Sequence, residues 1–209
     1  SIYDMNNVHK IIFTFIYMMF PSILLAATNE AEARQMFNKT YQMVFGSQGS
    51  SLHYSVNLIG LYKAEGTIWY KGKKIRYEEP RYSSWSDGVT KYLVDKKKKT
   101  VSIYDANDQK KGSYMSKFKF APDDYTYHWN NGKKYDVILI KAKHAGLKGI
   151  REVKLLLNRV NHYPVSLKIK LAFFWTTVKI TNFKSGGLTD DIFKFPSHAY
   201  RSYKYIDQR

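Results

Sequence analysis

The chain has no cysteine among its 209 residues. That excludes disulfide staples, thiol chemistry and the acylated N-terminal cysteine of a lipoprotein. Acidic residues are scarce too: 17 Asp+Glu stand against 34 Lys+Arg, a formal net charge of +17. A surplus of that size attracts phospholipid head groups, lipopolysaccharide or nucleic acid. Catalytic patterns are the third absence. The six histidines (His9, His53, His128, His144, His162, His198) are dispersed, with no H-E-x-x-H pair. No G-x-S-x-G elbow or G-x-x-x-x-G-K-[ST] phosphate loop occurs. The adjacent carboxylates Asp123-Asp124 and Asp190-Asp191 read as turn or capping residues, and Asn38-Lys39-Thr40 is a glycosylation sequon inside a predicted helix. The expectation is a binding protein and not an enzyme, with no catalytic residues, metal or cofactor.

What is present begins with a three-part secretory signal. Met5 to Lys10 is a short, weakly basic start, Ile11 to Ala26 is an uncharged apolar run, and Leu25-Ala26-Ala27 offers a small-residue cleavage site. As a helix the run would span only about 24 Å, against a hydrocarbon core of about 30 Å, and Pro21 interrupts it. Residues 1–27 are therefore read as a cleaved signal peptide starting at Met5, and 28–209 as one domain outside the cytoplasm. In that compartment nucleic acid is the least expected of the three anionic partners. Removing the signal takes one charge of each sign, Asp4 and Lys10, so the basicity belongs to the domain.

Aromatic residues make up 16% of the chain, a composition that suits strands. From Asn29 to Phe45 the apolar residues Ala33, Met36, Phe37, Tyr41, Val44 and Phe45 follow a helical repeat, with Asn29 and Glu32 as a capping pair and Gly46 as the left-handed stop. From Leu52 the period changes to two. Strands are predicted at 52–58, 66–70, 75–77, 81–86, 89–95, 100–105, 135–141, 150–157, 164–173, 175–183 and 192–195, separated by turn signals such as Asp87-Gly88 and Asn130-Asn131-Gly132. So many strands in one sheet must curl, which predicts a mainly β, half-closed barrel. Lys96 to Lys99 join two of them, as a solvated hairpin tip or a phosphate-binding patch. The segment from Ala106 to Asp124 breaks the rhythm. It reads either as a lid over the sheet, carrying Tyr114, Met115, Phe118 and Phe120, or as a surface loop.

The alternation defines a candidate ligand-binding face. It comprises Val56 and Leu58, then Ile68, Tyr70, Ile75 and Tyr77, then Val137 and Leu139, then Leu155, Leu157, Leu167 and Ile169. With one amphipathic helix, such a face either encloses apolar ligand chains or simply forms a helix-against-sheet core.

The order of motifs resembles the LolA family of periplasmic lipoprotein carriers. Gly66-Thr67-Ile68-Trp69-Tyr70-Lys71 is similar to that family's Gly-x-aliphatic-Trp strand, and Lys73 to Tyr77 to its following basic-aromatic strand. Ser86-Asp87-Gly88-Val89-Thr90-Lys91-Tyr92 resembles the Ser-Asp-Gly-x-Thr-x-aromatic hairpin, and Phe193-Lys194-Phe195-Pro196 through Arg209 resembles the last strand and tail. The resemblance implies an open barrel of about eleven antiparallel strands with a helical or irregular lid. It further implies a monomeric periplasmic chaperone that takes lipoprotein acyl chains from an inner-membrane lipoprotein-releasing ABC transporter. An outer-membrane acceptor and transient contact with anionic membrane surfaces belong to the same picture. The alternative is a cationic envelope-binding module for anionic lipid or lipopolysaccharide. Family members often place Arg-Pro after the Gly-x-x-Trp strand, the arginine latching the lid; here Lys71-Gly72 stands there, and Arg76 or Arg81 is the candidate substitute.

Overall fold

A computed structural model describes residues 29–58, 62–107, 122–144, 150–171 and 174–209. The signal segment and the residues Tyr114, Met115, Phe118 and Phe120 lie outside these ranges. Among the described residues, the helix α1 (Asn29–Phe45) precedes twelve strands: β1 (Ser50–Leu58), β2 (Tyr62–Lys71), β3 (Lys74–Glu78), β4 (Tyr82–Ser86), β5 (Thr90–Asp95), β6 (Thr100–Asp105), β7 (Tyr125–Asn131), β8 (Tyr135–Ala142), β9 (Ile150–Asn158), β10 (Pro164–Leu171), β11 (Phe174–Ser185) and β12 (Lys204–Asp207). The strands form a single sheet in the order β12-β6-β5-β4-β3-β2-β1-β11-β10-β9-β8-β7. The sheet is not closed, since β12 and β7 stand at its two ends. The protein is thus mainly β, with its twelve described strands in one open sheet.

The chain divides into two compact units, one of residues up to 42, 56–63 and 109–180, the other of residues 43–55, 64–108 and 181–209. In the first unit, β7 to β10 and the first half of β11 form an antiparallel meander. Its short connections set the register: Ile140 lies opposite Val153, Val153 opposite Ile169, and Ile169 opposite Thr176. β7 was not anticipated. Tyr125, Tyr127 and Trp129 do alternate there, but Asn130-Asn131-Gly132 suggested a turn where pairing in fact runs to Asn131 opposite Asp136.

In the second unit, β2 to β6 are joined by tight hairpins. Lys96 to Lys99 form the tip between β5 and β6, where Asp95 Oδ1 accepts from the Lys97 and Lys98 amides at 3.0 Å. Lys96 is tied down, its Nζ donating to the Glu79 carbonyl at 2.8 Å, while Lys97 to Lys99 are exposed. The expected strand 192–195 is instead a 3-10 turn, Asp190–Phe193, that buries Phe193. Phe195 stacks on Tyr92 at 4.3 Å and meets Trp85 edge-on at 5.6 Å, and with Tyr200 and Tyr203 it covers the Trp85, Val94 and Val101 cluster. Aromatic burial outweighs β-propensity there. The chain then returns as β12, which pairs with β6 in parallel, Lys204 opposite Thr100.

The end of α1 is fastened within this same unit. Four carbonyls at a helix C-terminus lack partners inside the helix. Here Ser50 Oγ donates to the Val44 carbonyl at 2.7 Å, and the Gly72 amide donates to the Phe45 and Gly46 carbonyls at 3.1 and 3.3 Å. The left-handed residue after the helix is Gly49 (φ +77°) and not Gly46 as expected, because three further residues form the turn into β1. Gly72 occupies the β2–β3 turn with φ +56°, the region glycine tolerates best.

Candidate functional site

Lys71 points its ammonium to the C-terminal segment. It donates to the Leu188 carbonyl and pairs with Asp190 Oδ1, both at 2.9 Å, while Lys74 pairs with Asp190 Oδ2 at 2.7 Å. The bonds from Lys74 and Lys71 lower the Asp190 pKa to about 2. A depressed carboxylate pKa contributes stability above the ordinary value, and that contribution disappears as the group protonates. Thermal melts of wild type and Asp190→Asn should therefore differ at pH 5 and converge as the pH falls from about 4 to about 2. A difference constant down to pH 2 would mean that the pair does not hold the segment.

Among the described residues, the two candidate latch substitutes, Arg81 and Arg76, have the following partners. Arg81 forks onto Asp95 through Nε and Nη2 at 3.2 and 2.9 Å. Burial pushes the Asp95 carboxyl up, but the Arg81 hydrogen bond and the Lys98 and Lys97 amides outweigh it and hold the pKa below the usual range. Arg76 pairs with Glu78 at 3.0 Å and lies over the Trp69 and Trp85 rings, 4.6 and 5.5 Å from their centroids.

The expected ligand-binding residues fall into two sets. In the second unit, Ile68 lies opposite Tyr77 and Tyr70 opposite Ile75, so all four share one face. Phe45 meets Tyr70 edge-on at 4.8 Å, placing the end of α1 on that face. Burial pushes the Tyr70 phenol pKa well up. The glycine of the Gly-x-x-Trp strand has a local reason. Tyr54 hydrogen-bonds to Glu79, and a Cβ at Gly66 would stand 2.8 Å from Glu79 Cγ and 2.4 Å from the Glu78 carbonyl oxygen.

In the first unit, Leu155, Leu157, Leu167 and Ile169 are buried on one face, and Val56 is buried within β1. Leu58 ends β1, and its side chain lies outside the described residues. Val137 and Leu139 do not join the others. They alternate with Asp136, Ile138 and Ile140, which are buried, and Leu139 lies opposite Lys154. The sequence reading of β8 was off by one position. Val137-Ile138-Leu139-Ile140 is apolar at every residue, so alternation alone does not choose a face; pairing with β9 does.

Two rows of five residues then cross this face. One is Tyr127, Ile140, Val153, Ile169 and Thr176; the other is Trp129, Ile138, Leu155, Leu167 and Val178. Helix α1 sits on it through Ala33 and Phe37, the latter 5.6 Å from the Tyr127 ring. Polar ties hold the start of the helix. The Asn29 amide both accepts from the Trp129 N–H at 2.7 Å and donates to the Trp129 carbonyl at 2.8 Å, so it extends the edge strand and does not cap the helix with Glu32. Arg34 pairs with Asp123, lowering that carboxyl's pKa through its hydrogen bond and charge, and lies over the Tyr127 ring. Burial pushes the Tyr127 phenol up. Among the described residues, Thr176 Oγ and Asp136 Oδ1 are buried on this face without a hydrogen-bond partner, and Arg159 Nε stands 3.9 Å from Asp136 Oδ1. Among the described residues, no three His, Cys, Asp or Glu side chains converge as a metal site.

No family model matches the chain, and no curated protein does. Among solved structures it is similar to an uncharacterized conserved protein from Thermus thermophilus, with 7% identity and a TM-score of 0.57 over 85% of this chain and 99% of that one. It is also similar to an outer membrane lipoprotein-sorting protein domain from Vibrio parahaemolyticus, with 11% identity and a TM-score of 0.42 over 83% and 100% of the two chains. A LolA superfamily protein from Nitrosomonas europaea aligns with 10% identity and a TM-score of 0.36 over 82% and 100%. At 7% identity the likeness to the Thermus thermophilus protein is one of fold.

Proposed function

We propose that this protein is an envelope carrier that holds acyl chains against the α1-side face of the first unit. The observation that carries the reading is the breadth of that face. Five strands about 4.8 Å apart extend about 19 Å, whereas a helix with its side chains is about 10–12 Å across. Every residue of the two rows except Trp129 is buried, so an acyl chain enters by displacing what covers them. Acyl methylenes gain about 0.8 kcal/mol each on burial, enough to hold a lipid reversibly. The buried Thr176 hydroxyl also suits an ester or amide carbonyl at the head of a chain, since an unmet hydrogen-bonding group costs about 1–3 kcal/mol.

The motif resemblance makes the cargo a lipoprotein, received in the periplasm from an inner-membrane ABC transporter and passed to an outer-membrane acceptor. A diacylated lipopeptide should be captured with micromolar affinity in a fluorescence titration, and the same peptide without acyl chains should not be retained. Equal retention of the two peptides would overturn the carrier reading. Mass spectrometry of lipoproteins co-purified from the source envelope then identifies the cargo.

A further inference from the structure

The opposite face of the β8–β11 meander carries a different chemistry. Register places Lys141, Glu152, Lys170 and Trp175 in one row across the four strands, and Leu139, Lys154, Lys168 and Thr177 in the next. Val137, Leu156, Ser166 and Lys179 make the third. Among the described residues of these rows, Lys141, Lys154, Lys168, Lys170 and Lys179 are opposed by Glu152 alone. Lys141, Lys168 and Lys179 are exposed, and Leu139, Leu156 and Trp175 are half-buried. Trp175 lies between two ammonium groups, Lys154 Nζ at 4.8 Å and Lys170 Nζ at 5.6 Å from its ring centroid. Lys154 is shared with Glu152 at 3.5 Å.

We infer that this lysine-rich face, with Trp175 at its end, is a docking surface for anionic phospholipid bilayers. The lysines complement a surface of phosphate head groups. The Trp175 indole argues for a bilayer over a soluble polyanion, because an indole ring flanked by lysine stems suits the water–hydrocarbon boundary and gains nothing from a chain of exposed anions. The surface lies on the side of the sheet away from α1, so it and the acyl face are physically separate. It stands whether or not the acyl face takes lipid.

The test measures binding of the full chain to vesicles of phosphatidylglycerol and phosphatidylcholine at 0.1 M salt. Lys154→Gln, Lys168→Gln and Lys170→Gln combined should weaken binding at least tenfold. The charge-matched triple variant Lys97→Gln, Lys98→Gln and Lys99→Gln, at the β5–β6 tip, should weaken it by threefold or less. Brominated lipid should quench wild-type fluorescence, and Trp175→Phe should remove most of that quenching. Near-UV circular dichroism checks the fold of each variant. Lipopeptide capture should be the same for the β9–β10 variant and wild type, so failure of the docking surface and failure of the carrier reading give different results. Equal loss from the two triple variants would reduce the effect to net charge and overturn the proposal. So would dextran sulfate bound as tightly as vesicles, or quenching that survives Trp175→Phe.

Discussion

Ile138→Glu is expected to cost about 4 kcal/mol or more, while Leu139→Glu, one residue along the same strand, should cost about 1 kcal/mol or less. Ile138 has 0% exposure and stands in the apolar row with Leu155 and Leu167, where a carboxylate has no partner. Leu139 is half-buried on the other face, opposite Lys154, where a carboxylate meets an ammonium. With whole-domain stabilities of about 5–15 kcal/mol, the first change leaves little margin. Urea unfolding of the two variants measures the difference, and lipopeptide capture should fall with Ile138→Glu only. The reverse order would mean that the two faces of β8 are exchanged.

Gly66→Ala should lower stability by about 3 kcal/mol, a fall of about 6–12 °C in melting temperature for a domain of this size. The added methyl would stand 2.4 Å from the Glu78 carbonyl oxygen and 3.2 Å from the Tyr54 hydroxyl, so it displaces backbone as well as the Tyr54–Glu79 hydrogen bond. Gly187→Ala is the control, since its Cβ would meet nothing within 4 Å and the cost is that of φ +76° alone, about 1 kcal/mol. Equal losses in calorimetry would remove the steric account of Gly66.

The contrast between these positions shows what the sequence disclosed. Helix α1 has the bounds its repeat predicts, and strands such as Thr100–Asp105 stand where the period-two pattern put them, because each pattern reflects a single buried face. Pairing across strands was less accessible. Val137 to Ile140 supplies an apolar residue to either face, and only long-range register with Leu155 and Leu156 separates the two sets. Polar groups that act at a distance were missed for a related reason. Asn29 is an adequate N-cap by type, yet its amide matches the paired donor and acceptor of a residue 100 positions away on an edge strand. Lys71 gives no local sign that it meets Asp190, and β12 is a four-residue strand whose neighbour lies far back in the chain. The lysine rows were hidden likewise, since Lys141, Lys154, Lys168 and Lys170 gather only once four strands align.

The Gly72 amide, bound to the last carbonyls of α1, makes two distant stretches of sequence answer to each other. Proline at 72 fails twice, through its fixed negative φ and its missing N–H, and the second failure is felt at Phe45 and Gly46. Evolutionary drift at the β2–β3 turn is therefore coupled to drift at the helix end. A chain with proline at 72 must close that helix with some other donor, so the two stretches should covary, and a graft of a proline-containing turn should fail unless the helix end is exchanged with it.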